Sequence, residues 1–222
     1  MNRVAVVVFP GSNCEYDALA GVQALGAQAE LVWHSRTDLT GFDGVILPGG
    51  FAHGDYLRPG ALARFSPIME AVSQFAEDGG AVLGICNGFQ VLTEAGLLPG
   101  ALQKNAGLKF LCQPTTLTVS SNASVLTSGA TIGQELVIPI NHFSGSYVCD
   151  DETFTRISEN GQVVLRYREN PNGSRDDIAG LANERGNVVG LMPHPERAMS
   201  TLLGSADGRV LLESFIASYV AA

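Results

Sequence analysis

The residues best suited to chemistry lie in Ala81-Val82-Leu83-Gly84-Ile85-Cys86-Asn87-Gly88-Phe89-Gln90, a strand-like run broken by G-x-C-x-G. That spacing is the cysteine form of the nucleophile elbow, in which a strand turns abruptly into a helix and holds its nucleophile in a strained, exposed position. Glycines two before and two after the cysteine suit the turn, because it brings those backbones too close for a Cβ. The helix that follows would aim its amide dipoles at the sulfur, the setting in which thiolates form. A buried structural cysteine beside a glycine-rich turn would leave the same short pattern.

A second segment, Val188-Val189-Gly190-Leu191-Met192-Pro193-His194-Pro195-Glu196-Arg197, ends a strand-like run in a histidine and a glutamate two positions apart. In an extended chain, residues at i and i+2 project to the same side. Pro195 favours that conformation, since the residue before a proline is pushed out of the α region. Glu196 can then hold one imidazole nitrogen of His194 while the other faces a nucleophile. The alternative is a solvated loop histidine with an incidental acidic neighbour.

The third segment is Leu47-Pro48-Gly49-Gly50-Phe51-Ala52-His53-Gly54-Asp55-Tyr56-Leu57. Adjacent glycines beyond a strand can present bare N–H groups to an oxyanion, although an ordinary glycine-rich turn has the same composition. No G-x-x-x-x-G-K-[ST] phosphate loop occurs. Each of the three segments follows a strand expected to be parallel, so all three could meet on one rim. Nucleophile, base, orienting carboxylate and oxyanion donors form the set that acyl transfer through a thioester requires.

Other reactive side chains suggest less. Cys14, after Gly11-Ser12-Asn13, is expected to be loop structure, with lining a site as the alternative, and Cys112 and Cys149 small core or near-core residues. His142 either lines a pocket or is a hydrogen-bonded loop histidine. His34 and His53 are expected at the surface, and Asp150-Asp151-Glu152 as a solvated acidic turn.

The elements that must position these groups follow from the hydrophobic pattern. Val4 to Phe9 is a continuous β-branched run of the kind buried in parallel sheets. Tyr16 to Leu25 has helical spacing closed by Gly26. Strands are expected over Ala29–Trp33, Gly44–Leu47 and Ala81–Ile85, and helices over Pro59–Glu77 and Gly88–Ala95. This alternation predicts an α/β fold, a doubly wound, mostly parallel sheet with helices on both faces. Between Lys104 and Tyr147 short β-rich pieces predict a small antiparallel section. Val163–Tyr167, Ile178–Ala182 and Asn187–Met192 read as further strands, and Asp207–Val220 as a closing helix. Without repeats, low-complexity tracts or linkers, a single domain spanning 1–222 is expected.

The 222 residues are enough to bury a core without disulfide or metal staples, and the 45% that are hydrophobic are spread along the chain. A net charge of −9, with two lysines among thirteen basic residues, argues against nucleic acid as a partner. No apolar run is long enough to span a membrane. The start passes directly into a strand-like run rather than a leader. Scattered cysteines without a C-x-x-C pair argue against a metal site or secreted disulfide framework and for a reducing cytoplasm.

The motifs around Cys86, His194 and Glu196 resemble those of the class I, triad-type glutamine amidotransferases. The similarity covers nearly the whole chain. Pro10-Gly11-Ser12-Asn13-Cys14 and Glu169-Asn170-Pro171-Asn172-Gly173-Ser174 favour the subfamily of glutaminase subunits of phosphoribosylformylglycinamidine synthase, in purine biosynthesis. The resemblance implies Cys86 as nucleophile, His194 as general base and Glu196 as its orienter. It further implies an oxyanion hole from the backbone N–H groups of Gly50 and Asn87, and a hold on substrate glutamine by Gln90. Ammonia would pass to a large synthase subunit, with a small bridging subunit in the same complex. No cofactor is implied in this chain; ATP and Mg would act on the synthase. Many relatives carry His-Gly-Glu where this chain has His142-Phe143-Ser144, so no role of that glutamate transfers. The competing functions are a cysteine amide hydrolase of the same fold and a non-catalytic scaffold subunit.

Overall fold

The β-branched run near the start forms β1 (Arg3–Val8) in the computed structural model of the chain, which describes residues 3–218. Val4 to Val7 are fully buried because β1 is enclosed by parallel neighbours, β2 (Gln28–Trp33) and β3 (Gly44–Leu47). Helix α1 (Glu15–Ala24) returns the chain from β1 to β2 and ends before Gly26, whose φ of 82° suits a left-handed cap. Next to β3 stands β4 (Ala81–Ile85), followed by α3 (Asn87–Glu94). From β1 to β2 the chain steps one way along the sheet and from β3 to β4 the other. Right-handed crossovers therefore put α1 and α2 (Ile68–Glu77) on opposite faces.

Helix α2 is shorter than expected. The spacing suggested a helix from Pro59, but Ser66 is extended (ψ 141°) ahead of Pro67, and α2 begins only at Ile68. A proline cannot donate in a helix interior and drives the preceding residue out of the α region.

The second half supplies β5 (Ala101–Lys104), β6 (Leu111–Val119), β7 (Glu135–His142), β8 (Ser144–Val148), β9 (Val163–Tyr167), β10 (Ile178–Ala182) and β11 (Val188–Leu191). The main sheet has nine strands in the order β2-β1-β3-β4-β11-β10-β9-β6-β7, and β5 pairs with β8 in a separate antiparallel ribbon. Only β10 and β6 run against the rest, so seven of the nine (9 − 2) share one direction. The small antiparallel section expected in the second half is β5–β8, while β6 and β7 extend the mostly parallel main sheet.

Two further elements differ from expectation. Asp150-Asp151-Glu152 is not a turn but the start of α4 (Asp151–Glu159), where the Asp150 carboxylate accepts the Thr153 N–H at 2.7 Å as an N-cap. The closing helix α5 spans Gly208–Ala217; positions 219 and 220 of the expected helix lie outside the described residues. Among the described residues no helix is long and apolar enough to cross a membrane.

The topology decides where chemistry can happen. Strands β1, β3, β4 and β11 lie side by side and parallel, so their C-terminal ends share one rim. β7 ends in the same direction. Its Pro139 carbonyl accepts the His194 N–H at 2.8 Å, and its Val137 N–H donates to the Asp207 carboxylate at 2.8 Å. The far edge of the sheet thus closes back onto the chain that follows β11.

Candidate active site

Cys86 sits between β4 and α3 with φ 51° and ψ −104°, a conformation that costs a residue with a Cβ about 1–3 kcal/mol. The turn is held by the Cys86 N–H on the Leu191 carbonyl (2.8 Å) and the Gln90 N–H on the Cys86 carbonyl (3.2 Å). The two flanking glycines are sterically obligatory. A Cβ on Gly84 would stand 2.7 Å from the Gly88 carbonyl oxygen, and one on Gly88 would strike the Leu47 carbonyl oxygen of the neighbouring strand. Asn87 opens α3, whose first-turn amides have no intrahelical acceptor.

His194 and Glu196 are paired. His194 Nδ1 lies 2.6 Å from Glu196 Oε1, and the two residues are 1% and 4% exposed. His194 (φ −106°, ψ 88°) lies outside the α region ahead of Pro195, but Pro195–Arg197 then form a 3-10 turn rather than the extended run expected, and it is this turn that carries Glu196 back to the imidazole. Burial pushes its imidazole toward the neutral form. The Glu196 charge outweighs that, with the Cys86 and Cys14 sulfurs adding to it, and the pKa is raised well above the usual histidine range. His194 Nε2 is buried and has no hydrogen-bond partner among the described residues.

The Gly49-Gly50 loop after β3 is pinned to the loop after β1. Asn13 N–H donates to the Gly49 carbonyl (3.5 Å) and Phe51 N–H to the Gly11 carbonyl (3.0 Å); these bonds bracket Gly50 without using its N–H. Gly49 has no room for a side chain, since a Cβ would lie 2.7 Å from His194 Cε1 and 3.1 Å from Cys14 Sγ. Beyond the glycines, the Asn87 side chain ties the loop to α3. Its oxygen accepts the Ala52 N–H (3.0 Å), and its Nδ2 donates to Asp55 Oδ1 (3.1 Å) and Gln90 Oε1 (2.8 Å). Gln90 Nε2 in turn donates to the Ser144 carbonyl (2.5 Å).

These groups surround a cavity of about 810 Å³. Of the residues expected in a site, Gly50, Cys86, Gln90 and His194 line it, while the Asn87 and Glu196 side chains stand behind the lining. Cys86 is close enough to act on the His194 imidazole, and its sulfur lies 3.8 Å from the Asn141 carbonyl. A thiol and a carboxylate-backed imidazole at one cavity, with the first turn of α3 following the thiol, can perform acyl transfer through a thioester.

Three further residues line the cavity: Cys14, His142 and Asp55. Cys14 lies in the loop ahead of α1, as expected, and is buried; its Sγ lies 3.1 Å from the Arg197 guanidinium. Ligand atoms of Cys14, His194 and Glu196 fall within 4.8 Å of one another. His194 and Glu196 are nevertheless bonded to each other, and the Arg197 cation beside the sulfur opposes a metal ion. His142, at the end of β7, is buried against Gly145, and its Nδ1 meets Asn105 Oδ1 at 3.0 Å. The Asn105 amide nitrogen donates to the Lys109 and His142 carbonyls, so its oxygen faces the ring and His142 Nδ1 must carry the proton. Burial, with the nearby His194, lowers the His142 pKa to about 4. Asp55 is half-buried, and desolvation raises its pKa to about 6 despite the Asn87 bond. The one sequence signal for Asp55 was its place in the glycine-rich segment.

Three expectations about other residues are corrected. Cys112 is exposed on β6 rather than in or near the core. His34 and His53 are half-buried, not surface residues: they meet edge to face, centroids 5.4 Å apart, and both contact Ser66 Oγ (3.2 and 3.3 Å).

Comparisons with known proteins give the family. The family model of the CobB/CobQ-like glutamine amidotransferase domain matches residues 1–209. The phosphoribosylformylglycinamidine synthase subunit PurQ of Lacticaseibacillus paracasei is 54% identical over 215 residues, covering 96% of this chain and 94% of its own length. The protein of the same description from Rubrobacter xylanophilus is 55% identical over 215 residues, covering 97% and 98%. A chain in the solved structure of PurLQS from Thermotoga maritima superposes with a TM-score of 0.91 at 44% identity, over 98% of both chains. A putative GMP synthase protein from Thermoplasma acidophilum shares the fold, with a TM-score of 0.68 at 18% identity over 100% of this chain and 95% of that one.

Proposed function

The chain belongs to the CobB/CobQ-like glutamine amidotransferase family, and from that premise we propose that it is the glutaminase subunit of a phosphoribosylformylglycinamidine synthase. The observation that carries the reading is Cys86 at a strained elbow in the same cavity as a buried His194–Glu196 pair at 2.6 Å. Relatives at 54–55% identity that are named as synthase subunits support the assignment to purine biosynthesis. A PurLQS relative supports work with other chains: a large synthase chain and a small bridging one. ATP and Mg belong, on this reading, to the synthase, and the complex to the cytoplasm. The whole chain serves as one glutaminase domain.

In the mechanism, glutamine enters with its carboxamide beside Cys86 and its tail toward Gln90. Cys86 passes its proton to His194, and the sulfur attacks the carboxamide carbon. The tetrahedral oxyanion settles against the backbone N–H groups of Gly50 and Asn87. Glu196 holds the imidazolium with its proton directed at the cavity. His194 gives that proton to the departing nitrogen, so ammonia leaves and a glutamyl thioester remains. Water, deprotonated by the same imidazole, attacks the thioester; glutamate is released and the thiol is restored. Ammonia lost to solvent would be protonated and no longer nucleophilic, so direct transfer to the synthase follows.

The test is Cys86→Ala in the assembled complex. Glutamine-dependent product formation is expected to vanish while ammonium salts still support synthesis. Unchanged glutamine use would remove the proposed nucleophile. Loss of both activities would point to a scaffold role.

A further inference from the structure

Glutamine differs from other primary amides by the α-ammonium and α-carboxylate at its far end, and a specific glutaminase must read them. The cavity walls carry three cations, Arg58, Lys104 and Arg197, but among the described residues Asp55 is the only carboxylate lining it. Two of the cations are engaged: Arg58 forms a bidentate pair with Glu94 (2.6 and 2.7 Å), and Arg197 bonds Asp17 (3.0 Å) and the Cys14 sulfur (3.1 Å). The polar neighbours cannot neutralise an ammonium. Both ends of the Gln90 amide are occupied within the chain, and His142 is uncharged.

Asp55 is also in the right place. Asn87, adjacent to the nucleophile, bonds Asp55 Oδ1 and Gln90 Oε1 with one nitrogen, so Asp55 lines the cavity within one side chain of Cys86 and beside Gln90. It belongs to the same loop as Gly50. That loop carries a run of left-handed residues, His53, Gly54 and Asp55 (φ 53°, 68° and 52°), an arrangement that costs energy and persists only because its surroundings fix it. The anchors are the Ala52 N–H on Asn87 Oδ1 and the His53 N–H on the Pro10 carbonyl (2.5 Å). Among the described residues, the one contact that favours the charged form of this half-buried carboxylate is the Asn87 amide. It lacks a cationic partner there, as its raised pKa reflects.

We propose that Asp55 is the specificity-determining residue of this cavity: its carboxylate receives the α-ammonium of the substrate amino acid, and its bond to Asn87 ties that recognition to the loop bearing Gly50. The inference rests on the glutaminase reading. It adds that the substrate is selected by its charge as well as its amide, and that selection acts on the loop that would stabilise the oxyanion.

The experiment compares amide hydrolysis of glutamine with that of 4-carbamoylbutanoate, which is glutamine without its α-amino group, using the full chain alone and with the synthase subunits. The wild type is expected to favour glutamine in kcat/KM by roughly 10- to 100-fold, the range of a hydrogen bond to a charged group. In Asp55→Asn, whose amide oxygen can still accept from Asn87, that ratio is expected to fall toward one. A purely structural role would lower both substrates together and keep the ratio, which would overturn the inference. Equal use of both amides by the wild type would do the same. If the Asn variant does not fold, Asp55→Ser is read in the same way, and wild-type inhibition by glutamate is compared with inhibition by glutarate; equal inhibition counts against Asp55. Absence of glutamine hydrolysis by the wild type in both settings would overturn the glutaminase reading itself, whereas a retained ratio overturns Asp55 alone.

Discussion

The two halves of the sheet build the cavity in different ways. In the parallel half, β1, β3, β4 and β11 end on one rim, and the ends of β3, β4 and β11 each carry a group within a few residues: Gly50, Cys86 and His194. The geometry there is local, fixed by a glycine, a proline or a helix start immediately beside the reactive side chain. The antiparallel half works at a distance. β7 and β8 bring His142 and Ser144 over the cavity, and Asn105, from the loop after β5, sets the His142 tautomer across 37 positions of sequence. Chemistry therefore sits on short, stiff motifs, and the walls around it depend on long-range packing.

That contrast can be broken most severely at the rim. His194→Ala is expected to lower glutamine-dependent turnover by about ten-thousandfold or more, and Glu196→Gln by about a hundredfold less than that, the relation seen when a triad's orienting acid is removed alone. Steady-state glutamate release by the complex checks both. A Glu196→Gln enzyme as fast as wild type would mean that the 2.6 Å pair is structural and the base needs no orienter.

The same contrast explains what could be read in advance. Gly84, Gly88 and the His-Pro-Glu spacing encode steric and dihedral demands that act within a few residues, so the elbow and its partner were legible without a fold. Cys14 was not: its burial depends on Arg197, 183 positions away, and on a Gly49 that leaves space for its sulfur. His142 looked ambiguous because nothing nearby announces Asn105. Cys112 was misplaced because β6 turns its core-facing alternation on only at Thr115, leaving the start of the strand exposed. Helix α4 is hidden in the sequence by its acidic start, since only Phe154 and Ile157, at i and i+3, mark its packed side. For α2, Pro59 resembled a helix start, but Pro67 was the proline that mattered.

In the antiparallel half the expected effect is on stability rather than turnover. Folded His142 has a pKa lowered from 6.5 to about 4. As pH falls through about 6.5, the unfolded chain takes up this proton while the folded chain does not, so stability drops between about pH 6.5 and pH 4 and levels off below. The full depression corresponds to about 3 kcal/mol. His142→Gln removes the titration. Urea unfolding at pH 7, 5.5 and 4.5 should show a shallower acid loss in the variant, whatever its stability at pH 7. Parallel curves would mean that His142 charges inside the fold.

The smallest effect is expected where an ion pair has good geometry but the wrong surroundings. Arg58 grips Glu94 with two bonds of 2.6 and 2.7 Å, as short as the His194–Glu196 contact. The Arg58 side chain is 62% exposed, however, whereas His194 and Glu196 are 1% and 0% exposed at theirs. Water and salt screen the outer pair, and ordering a long arginine offsets much of the attraction. Nothing of the kind screens the inner one, where removing one partner strands a buried charge. Arg58→Ala is therefore expected to shift the thermal midpoint by no more than about 3 °C, and by less in high salt. Scanning calorimetry at low and high ionic strength measures it. A larger, salt-insensitive loss would show that Arg58 holds the rim loop against α3 as firmly as the buried bonds do, and that the stiffness of the rim extends to its outermost residues.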